Sequence, residues 1–159
     1  MIIKTKFKNL ILVKKQKFTD SRGYFQELLI EKNIKMKFPF HVMSFSKKNI
    51  IRGLHIQTKN PQGKFVTVIK GKIFDVAVDL RKKSKTYGRY YSRILSAKNS
   101  LSIYIPAGFA HGFCALDKEN SGRNQTSRGP WHRDYAHCRA QSRQSDRGAR
   151  QRSRHGGAD

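Results

Sequence analysis

The chain has 159 residues and sets 34 Lys and Arg against 10 Asp and Glu, a formal net charge of +24. That length suits one domain with a real core, and no run approaches the ~20 apolar residues that a membrane span needs. Cys114 and Cys138 are too few for a disulfide framework, and neither belongs to a Cys-x-x-Cys pair. Met1 to Lys15 alternates Lys with short apolar runs and offers no small-residue cleavage site, so a soluble cytoplasmic protein is expected.

In chain order, Ile2 to Lys15 and Tyr24 to Ile30 read as strands, with Asp20-Ser21-Arg22-Gly23 as the turn between them. Only Glu31 to Lys37 looks helical. Phe65 to Leu80 holds two β-rich runs around Lys70-Gly71, which reads as a tight hairpin turn. In the second run Phe74, Val76, Val78 and Leu80 share one face, and Ile73, Asp75, Ala77 and Asp79 share the other. Both aspartates are expected to be wall positions without a catalytic role. Tyr90 to Leu95 and Leu101 to Ile105 follow, separated by Ser96 to Ser100. Pro106 and Gly108 then end a strand and present His111 on the next. Many short strands at close spacing predict an all-β sandwich or barrel.

The 20 Lys of residues 1–120 are scattered, forming neither a basic helix nor a dense block. Attraction of a phosphate-bearing small molecule explains them better than nucleic acid does. The composition changes at Asn120. Residues 121–159 contain 9 Arg, no Lys, and no Ile, Leu, Val, Met or Phe. Such a segment cannot bury enough surface to offset its ordering entropy. The expected organisation is therefore a folded domain over 1–120 and a disordered Arg-rich tail over 121–159, which reads as a frameshift or chimeric join. A tail that binds RNA or DNA is the competing functional reading.

The densest chemistry is Arg52-Gly53-Leu54-His55, with Lys64 nine residues beyond the histidine. A base-capable imidazole, a guanidinium and an ammonium suit proton abstraction beside a carbonyl on an anionic substrate. Read with the barrel pattern, Pro106 to His111 looks like the second half-motif of the cupin superfamily. His55-Ile56-Gln57 lacks the second histidine and following acid of a cupin metal site, so a metal-free cupin is expected.

Asp20-Ser21-Arg22-Gly23-Tyr24-Phe25-Gln26-Glu27, RGLHIQ, QGK, FDVAVDLRKKSKTYG and IPAGFAHGF occur in order over residues 1–117. Together they resemble the dTDP-4-dehydrorhamnose 3,5-epimerase family of metal-independent cupins. The resemblance implies a jelly-roll barrel (the cupin double-stranded β-helix), a dTDP-sugar substrate, a homodimer, and neither cofactor nor membrane partner. It makes His55 the base and Lys64 the cation that stabilises the enolate. Arg52 would hold diphosphate or sugar, Gln57 would contact substrate, and His111 would line the sugar pocket. Arg22, Phe25 and Glu27 would reach the nucleotide, often across a dimer interface. Arg22 with Glu27 as a plain cross-strand ion pair is the alternative.

Three departures stand out. The family's acid tyrosine belongs a dozen or more residues beyond HGF, where this chain reads Gly122-Arg123-Asn124-Gln125-Thr126. Tyr135 is at the wrong spacing, and neither Asp134 nor Asp146 matches the late aspartate that orients the base. A Gln-x-Asn segment ahead of RGLH is Phe40-His41-Val42 here. The resemblance therefore implies a barrel short of its closing strands and a chain with little or no turnover. A related deoxysugar cupin, a mono-epimerase or 3,4-ketoisomerase, is the near alternative.

Overall fold

The computed structural model describes residues 1–126. Its strands are β1 (Ile2–Lys4), β2 (Ile11–Lys14), β3 (Lys17–Asp20), β4 (Gly23–Gln26), β5 (Phe40–Lys47), β6 (Ile51–His55), β7 (Lys64–Lys70), β8 (Lys72–Asp79), β9 (Tyr90–Ser96), β10 (Leu101–Ile105), β11 (Phe109–Ala115) and β12 (Glu119–Thr126). One helical turn, α1 (Glu31–Ile34), interrupts them. Six strands form one sheet in the order β1-β2-β10-β7-β12-β5, and four form a second in the order β6-β11-β8-β9. The hairpin β3-β4 is a sheet of its own, closed by the expected turn with Asp20 opposite Gly23. This is the all-β jelly roll expected of a cupin.

The main core lies between the two larger sheets. Val66, Val68, Leu101, Ile103 and Ile105 face it from the six-stranded sheet, and Ile73, Ala77, Leu95 and Phe109 from the other. A smaller cluster of Phe38, Phe65 and Tyr104 backs the six-stranded sheet, with Leu29, Ile34 and Met36 packed on it. The 27–38 connection thus covers the sheet face that Phe65 and Tyr104 present. Burial of such side chains contributes about 1.5–3 kcal/mol each.

Period-two alternation in β8 is as expected, but its inward face is the one with the aspartates. Ile73, Asp75, Ala77 and Asp79 are buried, whereas Phe74 and Leu80 are exposed. Asp79 earns its place as a loop anchor. Its carboxylate accepts from Arg81 Nε at 2.8 Å, Ser84 Oγ at 2.6 Å and Thr86 Oγ1 at 2.6 Å.

Two expectations need correction. Lys70-Gly71 is not a hairpin, because β7 and β8 belong to different sheets. The chain changes sheets at Gly71, whose φ of +82° is costly for other residues, and a Cβ there would lie 2.3 Å from the Glu119 carbonyl oxygen. Nor does order stop at Asn120. Ser121 to Thr126 complete β12, paired with β5 on one side and β7 on the other. A gap between two strands is filled by backbone N–H and C=O groups, which a polar sequence supplies as well as an apolar one. Residues 127–159, the rest of the expected tail, lie outside the described residues.

Asn120 itself is a keystone. Its Oδ1 accepts the Lys72 N–H at 2.9 Å, and its Nδ2 donates to the carbonyls of Asp117 at 2.7 Å and Ser46 at 3.3 Å. One buried amide thereby ties β5, β8 and the β11–β12 turn. Asn120→Ala leaves those groups unpaired and is expected to destabilise the domain by about 2–4 kcal/mol in chemical unfolding. An unchanged midpoint would contradict this.

Candidate active site

β6 and β11 meet so that His55 and His111 are direct cross-strand partners. The approach is close: a Cβ on Gly53 would fall 2.5 Å from Gly112 Cα, and one on Gly112 would fall 2.7 Å from the Arg52 carbonyl oxygen. The glycine of RGLH is thus required by contact as well as by its φ of +119°. Lys64 opens β7, with Ile105 of β10 on one side and Thr126 of β12 on the other. Alternation puts it on the face that Val66 and Val68 turn towards the core, so it enters the mouth of the barrel.

Three cationic or potentially cationic groups now share one end of the molecule. The His55 imidazole is held below the ordinary histidine value of 6.5, first by burial, then by the Lys64 ammonium and then by His111. A base so placed keeps its free lone pair at neutral pH. Arg52 is anchored from β5, its Nε donating to Ser46 Oγ at 2.9 Å and its Nη2 to the Phe45 carbonyl at 3.0 Å. Gln57 follows β6, half-buried. A small cavity is lined by Ser44, Ser46, Val66, Ile73, Phe113 and Asn120.

Asp75, expected to be a wall position, is buried in the barrel wall and there meets His111. Its Oδ2 lies 2.8 Å from His111 Nε2, with the carboxylate fully enclosed. Both aspartates of β8 point inward, so alternation alone cannot choose between them. The register of β8 on β11 sets both diagonally across from His111, opposite Ala77, and only their contacts separate them: Asp75 meets His111, whereas Asp79 is taken up by Arg81, Ser84 and Thr86.

The nucleotide set is not brought to His55 within one chain. Arg22 and Phe25 ride on the β3-β4 hairpin, which packs on no strand of the larger sheets to any extent. Arg22 pairs with Asp20 at 2.7 Å, so the expected alternative of an ion pair with Glu27 gives way to a turn-internal one. Phe25 is 67% exposed and Glu27 is also exposed. The zone from Gly122 to Thr126 lies in β12, where Thr126 stands opposite Lys64 and Asn124 opposite Val66. The position where the family's acid was sought is therefore on the strand beside the lysine. Tyr135, Asp134 and Asp146 lie outside the described residues.

A family model described as dTDP-4-dehydrorhamnose 3,5-epimerase matches residues 4–143. The chain belongs to the dTDP-4-dehydrorhamnose 3,5-epimerase family. The match runs past both Asn120 and the motifs that end near residue 117. The epimerase of Methanothermobacter thermautotrophicus is 46% identical over 122 residues, 74% of this chain and 66% of that protein. That of Neisseria gonorrhoeae is 47% identical over 120 residues but only 37% of its own length. The chain thus spans less than two thirds of these two family members. A Legionella pneumophila 3,5-epimerase solved with dTDP-4-keto-L-rhamnose superposes with a TM-score of 0.78 at 35% identity, over 82% of this chain and 72% of that one. The Bacillus anthracis epimerase solved with TDP and pyrophosphate gives 0.77 at 37% identity, over 82% and 78%. Among the described residues of this epimerase-family chain no three His, Cys, Asp or Glu side chains are grouped to hold a metal. No described helix is long and apolar enough to cross a membrane.

Proposed function

We propose that this chain carries the proton-abstracting half of a 3,5-epimerase site acting on dTDP-4-dehydro-6-deoxy-D-glucose, towards dTDP-4-dehydro-L-rhamnose. The observation that supports it is the pairing of His55 with His111 beside Lys64, on motifs in the family's order. The C3 and C5 protons of the substrate lie α to its C4 ketone. His55 removes one, the electrons move onto O4, and the Lys64 ammonium stabilises the enolate. Arg52 holds the diphosphate or sugar, and Gln57 and His111 contact the sugar. Such a substrate belongs to the cytoplasm. Inversion also needs an acid on the opposite face of the ring. The chain has no tyrosine at the family's spacing, so the proton returns mainly from His55 to the face it left.

Arg22, Phe25 and Glu27 complete the nucleotide end in the site of a second copy. Phe18, Tyr24 and Phe25 stand exposed on a hairpin free of its own barrel, and Ile51, Phe74 and Ile94 are exposed on the four-stranded sheet. Apolar surface so arranged favours association. A dimer by light scattering is expected, and a Phe25→Ser change should weaken dTDP binding about tenfold. A monomer that binds dTDP unaffected by Phe25→Ser would overturn this part. For the chemistry, deuterium uptake at C3 and C5 from D2O is expected. Transfer of the ketone between C4 and C3 would instead support a ketoisomerase.

A further inference from the structure

Asp75 has a geometry that bears on which nitrogen of His111 faces the substrate. The aspartate is 1% exposed, its Oδ2 meets His111 Nε2, and its Oδ1 has no hydrogen-bond partner. An ionised carboxylate can only accept, so the hydrogen between the two lies on Nε2. In the neutral ring Nδ1 is then left with its lone pair. That nitrogen makes no hydrogen bond among the described residues, and the side chain keeps 8% exposure. His55 is the cross-strand partner of His111, and Lys64 lies within charge range of His55.

We propose that Asp75 is a positioning residue of the epimerase site: by holding the Nε2 hydrogen of His111 it presents Nδ1 as an acceptor for a hydroxyl of the sugar. This rests on the epimerase reading. A hydroxyl tied to β11 fixes the sugar ring against His55 on β6, so that a C–H α to the ketone is held at the base. A histidine free to exchange tautomers or to flip would offer a donor there part of the time. It would then meet the hydroxyl less well and let the ring rock.

The test uses the whole chain as wild type, Asp75→Leu and Asp75→Asn. Long-range 15N–1H correlation at pH 8 reports which ring nitrogen of His111 carries hydrogen, without any need for activity. Wild type is expected to show protonated Nε2 and bare Nδ1, and Asp75→Leu a mixture of the two tautomers. Asp75→Leu should also raise KM for deuterium uptake about tenfold, the worth of one neutral hydrogen bond. Asp75→Asn keeps an acceptor oxygen and should recover most of that. Bare Nε2 in the wild type, which would put the hydrogen on Asp75, overturns the proposal even if both variants fail to fold. So does a folded Asp75→Leu with the wild-type tautomer and KM. Wild type with protonated Nε2 but no deuterium uptake would support the tautomer assignment and sink the epimerase reading, so the two failures are distinct.

Discussion

His55→Ala is expected to reduce deuterium uptake at C3 and C5 of dTDP-4-dehydro-6-deoxyglucose by about 10²–10⁴-fold, the usual contribution of a positioned general base. The fold should not suffer. His55 ends β6 with its imidazole partly shielded from solvent, and its side chain is not part of either apolar cluster. Its removal should change stability by no more than about 0.5 kcal/mol, as for an ordinary surface substitution. Loss of exchange with an unchanged unfolding midpoint assigns the chemistry to the imidazole. Equal exchange in the variant would remove His55 from the mechanism.

Lys64→Met should cost about 10²–10³-fold in the same assay, because it deletes the charge that meets the developing enolate. A second effect is particular to this site. The Lys64 ammonium is the second-largest influence lowering the His55 pKa, after burial. In the parent chain, exchange should therefore be lost on acidification only below about pH 6.5, as His55 takes up its proton. In Lys64→Met that acid limb should move up towards the ordinary histidine value without reaching it, since burial persists. An acid limb that stays in place would mean that the lysine and the histidine do not share a pocket. Lys64→Arg, which keeps the charge at a different reach, should leave the limb nearly where it was.

Local patterns in the chain predict the local elements well. Asp20-Ser21-Arg22-Gly23 has turn residues where a hairpin closes, and β8 alternates cleanly because side chains on a strand must point to opposite faces. Patterns do not reveal which strands become neighbours. Lys70-Gly71 has a hairpin's residues, yet at that point the chain passes from one sheet to the other. Ser121 to Thr126 has no apolar residue to mark it as a strand, and its place depends on the gap between β5 and β7. The site divides in the same way. His55, Lys64, Arg52 and His111 sit in recognisable motifs. Asp75 is indistinguishable from Asp79 by alternation and by register alike, and only the side chains around them divide the two: one anchors a loop through Arg81, Ser84 and Thr86 and the other meets a histidine. Arg22, Phe25 and Glu27 remain apart from His55 because a single chain does not bring the hairpin to its own barrel mouth.

The central claim is that this chain retains the base and the enolate clamp but not the acid that completes an inversion. Stereochemistry at the exchanging carbons tests it most directly. The purified chain would be incubated with dTDP-4-dehydro-6-deoxyglucose in D2O. 1H NMR would follow loss of the C3 and C5 proton signals together with the coupling constants that report configuration. Uptake of deuterium with the starting configuration retained at both centres, abolished by His55→Ala, is the predicted result. Inversion keeping pace with exchange, giving dTDP-4-dehydro-L-rhamnose at each turnover, would show that the chain has an acid after all and would contradict the account.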